Sequence, residues 1–231
     1  MVLMAINNKV ISLVLAVVVL GGGLYFFIKE SAEDFIKPVE ISEEQREQIS
    51  QAISELKVKI KDGCKEDEAG NCYSHYLQLA INHEALGEVG RAIEANKKAI
   101  KESSNSYVPY ANIGSLYRSI GELTRAEEFY KKALEINPGN LNVFRNLFEI
   151  YRYDLKMPPH ELQPIFVQAI TDSGNNLDFV RLYAFYLEDI NDPVNAVIVL
   201  KGLLEIDPEN ETIKAKIAEL EASARAQGLM E

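Results

Sequence analysis

The sequence predicts an all-α protein: an α-solenoid of about four stacked helix pairs with flanking helices, preceded by one transmembrane helix. Three observations lead there. Small and apolar residues recur at 34-residue intervals between Tyr73 and Pro208. Within each interval the apolar positions follow a helical period twice, and Pro138 and Pro208 stop the second helix of their intervals. Ahead of the repeats, Val10 to Ile28 reads VISLVLAVVVLGGGLYFFI, nineteen residues without a charge.

That apolar run sets the first boundaries. Residues 1–9 are an N-terminal tail, 10–28 the transmembrane anchor and 29–41 a polar linker. A helix rises about 1.5 Å per residue, so about 20 residues cross the ~30 Å hydrocarbon core. Lys9 and Lys29 flank the run, and Tyr25 suits the interfacial belt. Gly21, Gly22 and Gly23 lower helix propensity but are common in membrane helices, and Ser12 with Ala16 makes one small-xxx-small pair. A cleaved signal peptide and a buried soluble helix are the competing readings. The run is long for the apolar stretch of a signal peptide, and no A-x-A-like site follows it. A soluble helix of this kind would need cover all round. The few Lys residues on either side leave the orientation open.

Residues 42–72 form an N-terminal helix and a cysteine loop. Pro38 discourages a helix running on from the anchor. Ser42-Glu43-Glu44-Gln45 has the form of a capping box, and Ile49, Ile53, Leu56 and Ile60 then make one apolar face ending near Gly63.

The repeat occupies residues 73–210, as units 73–106, 107–140, 141–176 and 177–210. Counted from Tyr107, Tyr110 stands at position 4, Ile113 at 7, Gly114 at 8, Tyr117 at 11, Ala126 at 20, Tyr130 at 24, Ala133 at 27 and Pro138 at 32. This pattern resembles the tetratricopeptide repeat family. Small residues at 8 and 20 allow two helices to cross closely, and Tyr117, Tyr130 and Ala133 fill the space between them. The first unit keeps Tyr76, Leu79, Ala80, His83, Gly87, Ala92 and Ala99, but departs at Asn96 and Ser104. The third unit offers Phe144, Leu147, Phe148 and Tyr151, then Leu162, Phe166 and Ala169 after two extra residues near Pro158 and Pro159. Phe148 at position 8 is expected to push its helix pair apart. The fourth unit has Val180, Tyr183, Ala184, Leu187, Ala196, Leu200, Leu203 and Pro208. Residues 211–231 are read as a capping helix with Ile213, Ile217 and Leu220 on one face. The resemblance implies a right-handed solenoid.

Composition narrows the function. Apolar residues make up 47% and charged residues 26%, as in a folded domain. The net charge of −11 argues against a general nucleic-acid binder, which needs a basic surface. No phosphate-binding glycine loop, G-x-S-x-G or H-E-x-x-H occurs, so no enzyme, cofactor or metal is predicted.

The only two cysteines, Cys64 and Cys72, enclose an acidic loop with Glu66, Asp67 and Glu68. Three readings stand: a disulfide, two inert thiols, or a metal site with His75 or His83. A nine-residue ring would contribute about 2.6 kcal/mol by loop-closure entropy. The spacing is not the C-x2-4-C of structural zinc. A disulfide would place the repeats in an oxidising compartment, outside the cytoplasm.

The family resemblance also implies a concave groove lined by the first helix of each unit. The matching positions hold Leu77, Gln78 and Ile81, then Val108, Asn112, Ser115 and Arg118. They continue with Arg145, Asn146, Glu149, Arg152 and Tyr153, and end with Arg181, Leu182 and Phe185. Arg forks pair with carboxylates, and Asn can grip a peptide backbone. The expected site is therefore Asn112, Arg118, Arg145, Asn146, Arg152, Arg181 and Phe185, with some of the arginines open to pairing with Glu149 and Glu188. Its ligand is a protein or peptide carrying acidic groups or a free C-terminus. These residues do not reproduce the carboxylate clamp of chaperone-binding members. The expected role is a membrane-anchored interaction scaffold on the periplasmic or cell-surface side. A cytosol-facing receptor for client segments, a metal-binding module and a self-assembling structural protein are the alternatives.

Overall fold

The computed structural model describes residues 14–20, 23–29, 41–65 and 71–230. The expected tail, almost all of the linker and the acidic Glu66, Asp67 and Glu68 lie outside the described residues. The chain divides into two compact units, one of residues 1–104 with 112–126, the other of 105–111 with 127–231.

The first unit begins with an antiparallel pair, β1 (Val14–Leu20) and β2 (Gly23–Lys29), in which Val14 faces Lys29 and Leu20 faces Gly23. A continuous helix was expected over this stretch. Valine and aromatic residues suit a strand as well as a membrane helix, and the glycine run separates two such segments. Among the described residues no helix is long and apolar enough to cross a membrane.

The helices then follow in order. Helix α1 (Glu43–Lys61) starts at a capping box: the Gln45 amide donates to Ser42 Oγ at 3.2 Å, and the Ser42 amide donates to Gln45 Oε1 at 2.8 Å. Its Ile53 is buried with Leu79, Ala80 and Ala95, and Ile49, Leu56 and Ile60 pack around them. Gly63, at φ +78°, ends the helix. The next residue, Cys64, is disulfide-bonded to Cys72 with Cα atoms 5.3 Å apart, so the end of α1 is tied to the start of α2 (Tyr73–Ala85). Gly87, at φ +75°, turns the chain into α3 (Val89–Glu102). Helices α4 (Val108–Ser119) and α5 (Leu123–Ile136) contribute residues to both units.

The second unit continues with α6 (Leu141–Glu149), α7 (Pro159–Asp172), α8 (Leu177–Asp189), α9 (Pro193–Ile206) and α10 (Glu211–Ala226). Asn140, Asp192 and Asn210 cap α6, α9 and α10 by accepting a backbone N–H three residues on, and Asn176 caps α8 by accepting from the Asp178 amide. One core gathers Ala184, Leu187, Ala196, Val197, Leu200 and Leu203 with Ile213, Ile217 and Leu220 of α10. Two ion pairs tie α10 down: Lys216 to Glu188 at 2.8 Å and Lys201 to Glu221 at 2.7 Å.

A second cluster is aromatic. Phe166, fully buried, lies 5.2 Å from Phe144, 4.3 Å from Phe148, 5.1 Å from Tyr183 and 5.2 Å from Tyr186 between ring centroids. Phe148, expected to push its helix pair apart, is buried with its ring against Phe144, Phe166 and Tyr186, where edge and offset contacts are favourable. After Glu149 the helix changes to a π turn over Ile150–Asp154, and the Leu155 amide donates to the Ile150 carbonyl, five residues back, at 2.8 Å. A π turn takes in an extra residue without ending the helix. Part of the two-residue insertion read in this repeat is accommodated there, ahead of Pro158 and Pro159.

Candidate functional site

The expected site residues fall into both units. In the first, Asn112 is half-buried, and its Nδ2 donates to Asn96 Oδ1 at 3.3 Å. Asn96 is itself buried and donates to the Ala92 carbonyl at 3.0 Å. Asn112 therefore satisfies a buried amide. Arg118 is half-buried in the last turn of α4.

The second unit holds the remaining five on α6, the π turn and α8. Interlocked rings hold α6 and α8 in place, with Phe144 5.2 Å from Phe179 and Phe148 5.2 Å from Tyr186. Arg145 is exposed and has no side-chain partner among the described residues, and Asn146 is half-buried. Arg181 is exposed and pairs with Asp178 one turn earlier at 2.9 Å. Phe185 is 71% exposed, and Tyr153 adds a second exposed ring.

Arg152 is the most constrained of the set. Its guanidinium pairs with Asp189 and stands 4.9 Å from the Tyr153 ring centroid and 5.3 Å from that of Tyr186. Burial pushes the Tyr186 hydroxyl above the ordinary tyrosine range, partly countered by the Arg152 charge. That hydroxyl finds no hydrogen-bond partner among the described residues. Glu188 was one of the residues expected to pair with some of the arginines. Asp178 and Asp189 take Arg181 and Arg152, while Glu188 takes Lys216.

The cysteine site is simpler. Both sulfurs are in the disulfide and both residues are buried. The metal alternative needed two thiolates, so it loses two of its three ligands. Among the described residues no group of three His, Cys, Asp or Glu side chains is placed to hold a metal. His83 is buried, with Nδ1 2.5 Å from Glu88 Oε2, and Arg91 reaches Glu88 Oε1 at 2.7 Å. Burial alone would raise the Glu88 carboxyl; the bonds from His83 and Arg91 outweigh it and hold the group below the usual range.

One network was not expected from sequence. The Tyr151 hydroxyl donates to Glu127 Oε1 at 3.0 Å, and Lys131 pairs with the same oxygen at 2.7 Å. Burial and the Glu127 carboxylate push the Tyr151 hydroxyl up to about 12. Tyr151 occupies a packing position of the repeat, and nothing in its residue type announces the bond.

Comparison with known proteins gives a partial placement. No curated protein matches the chain. Solved structures with similar folds include a tetratricopeptide repeat protein from Parabacteroides merdae (15% identity, TM-score 0.48, covering 87% of this chain and 75% of that one). MamA is similar at 18% identity and TM-score 0.47, covering 73% of this chain and 94% of that one. YrrB, described as a TPR protein with an unusual peptide-binding site, is similar at 19% identity and TM-score 0.44, covering 74% and 84%. The family model of the tetratricopeptide repeat matches residues 108–140, the stretch that forms α4 and α5.

Proposed function

We propose that this chain is a membrane-anchored interaction scaffold whose repeats bind an acidic protein segment through α6, the π turn and α8. One observation carries the reading: Arg152 already holds a carboxylate, that of Asp189, with its guanidinium against the rings of Tyr153 and Tyr186. A ligand carboxylate could take the place of Asp189, while Arg145 and Arg181 add charge and Phe185 an apolar anchor. Asn112 and Arg118 serve the same ligand class in the first unit.

The anchor rests on the uncharged run 10–28. In hydrocarbon a two-stranded hairpin leaves its outer edges unpaired, at several kcal/mol per group. The same nineteen residues wound as a helix satisfy their backbone internally and reach about 28 Å. The Cys64–Cys72 disulfide favours an oxidising, extracytoplasmic setting.

Binding is tested with a fluorescent peptide rich in Asp and Glu. Arg145→Ala and Arg181→Ala should each weaken it about three- to tenfold, and Asp189→Asn should strengthen it by freeing Arg152. Unchanged affinity in all three variants removes the arginine site. Side is tested with a membrane-impermeant thiol label on sealed cells. Labelling from outside only after reduction supports the extracytoplasmic reading. Free thiols reached only after lysis support the cytosol-facing receptor.

A further inference from the structure

The second unit contains a cleft of about 920 Å³ that the arginine face does not use. Its walls are α5 and α7, and its floor is formed by α6, its π turn and Phe179 of α8. The floor is apolar: Phe144 and Leu147 are buried there, with Leu134, Leu155, Met157 and Ile165 around them. The size and lining are those of a ligand site rather than a packing flaw. Pro164 lies inside α7 and on the cleft, and it offers no N–H to the turn before it.

The rim is unbalanced in charge. Glu127, Glu135 and Asp172 stand against the single cation Lys131, and Lys131 is engaged with Glu127 at 2.7 Å. Glu135 is exposed and has no cationic partner among the described residues, and Asp172 accepts only from Gln168 Nε2, at 2.7 Å. A wholly apolar ligand would leave Glu135 and Asp172 with no cation beside them. A ligand with cations beside its apolar anchors would satisfy both floor and rim. We propose that the α5–α7 cleft is a second docking site, for a short amphipathic protein segment carrying Leu or Phe anchors flanked by Lys or Arg. This ligand is opposite in charge to the one assigned to the arginine face, so one chain would hold two unlike partners.

The test uses the full-length protein and a fluorescein-labelled amphipathic helical peptide with Leu and Phe along one stripe and Lys beside it. Saturable anisotropy is expected for this probe, and not for the same peptide with Glu in place of Lys. The variant Glu135→Lys with Asp172→Lys changes exposed side chains only; it should weaken the Lys probe by about tenfold and admit the Glu probe. Ala169→Trp, which fills the cleft from α7, should abolish binding, and circular dichroism would establish that it folds. Arg145→Ala and Arg181→Ala should leave the Lys probe unaffected. Absence of saturable binding, or binding indifferent to the charge reversal, overturns the proposal whether or not the arginine face binds its own ligand.

Discussion

The first and third repeats meet the same two positions with opposite chemistry. Position 8 is Ala80 in one and Phe148 in the other; position 24 is Asn96 in one and Phe166 in the other. In the first unit the small alanine lets α2 and α3 cross closely, and the buried Asn96 is satisfied by Ala92 and Asn112. In the second unit both sites carry rings, the rings pack against each other at a tilt, and the helix takes a π turn to fit the surplus residue. A repeat of this kind is therefore a spacing rule rather than a residue rule. Regular copies rest on small residues and completed hydrogen bonds. The irregular copy rests on aromatic area, and its distortion leaves room beside α7.

Breaking the aromatic side should have the largest effect. Phe166→Ala removes a fully buried ring touching four others and should cost about 3–5 kcal/mol, read from chemical denaturation. Loss within 1 kcal/mol would mean that the cluster is loosely packed. Next comes the first unit's cross-link. Reduction, or Cys64→Ser with Cys72→Ser, should cost about 2.6 kcal/mol on the loop-entropy scale and loosen α1 first, visible as faster amide exchange over residues 43–61.

Two smaller effects separate the units by pH. Tyr151→Phe should cost about 1 kcal/mol at neutral pH. The folded hydroxyl titrates near 12, above the ordinary ~10, so its contribution is whole below pH ~10 and fades as pH rises towards 12. The variant and the parent should converge in that window. Glu88→Gln should cost less still, below about 1 kcal/mol, because the carboxylate is partly exposed. Its folded pKa is depressed, so this contribution is present above the ordinary carboxylate value of ~4.3 and disappears as pH falls below it. A difference that persists at pH 3 would show that packing, rather than the His83 and Arg91 bonds, is responsible.

Much of the helical architecture was readable because its causes are local. The buried alanines Ala92, Ala99, Ala126, Ala133 and Ala196 sit on the repeat period, and Ser42 with Gln45 forms its box within one turn. The π turn was not readable, since an i to i+5 bond has no side-chain signature and only the surplus residues hinted at it. The arginine partners were only half readable. Arg181 is answered one turn away on its own helix, whereas Arg152 is answered by Asp189, thirty-seven residues on. The apolar run 10–28 defeats periodicity altogether, because a uniformly apolar stretch looks alike as strand and as helix.

The disulfide also fixes a length. With the bond closed, tension passing from α1 to α2 crosses 5.3 Å between Cα atoms and bypasses every residue between the two cysteines. Once it is reduced, the packing of Ile49, Ile53, Leu56 and Ile60 against Leu79, Ala80 and Ala95 carries that tension alone, and where this contact gives way the eight chain steps from Cys64 to Cys72 can straighten to about 28 Å, about 23 Å more reach. A change of redox state would thus alter how far from the start of the chain the repeats can work, without altering a single residue of their binding faces.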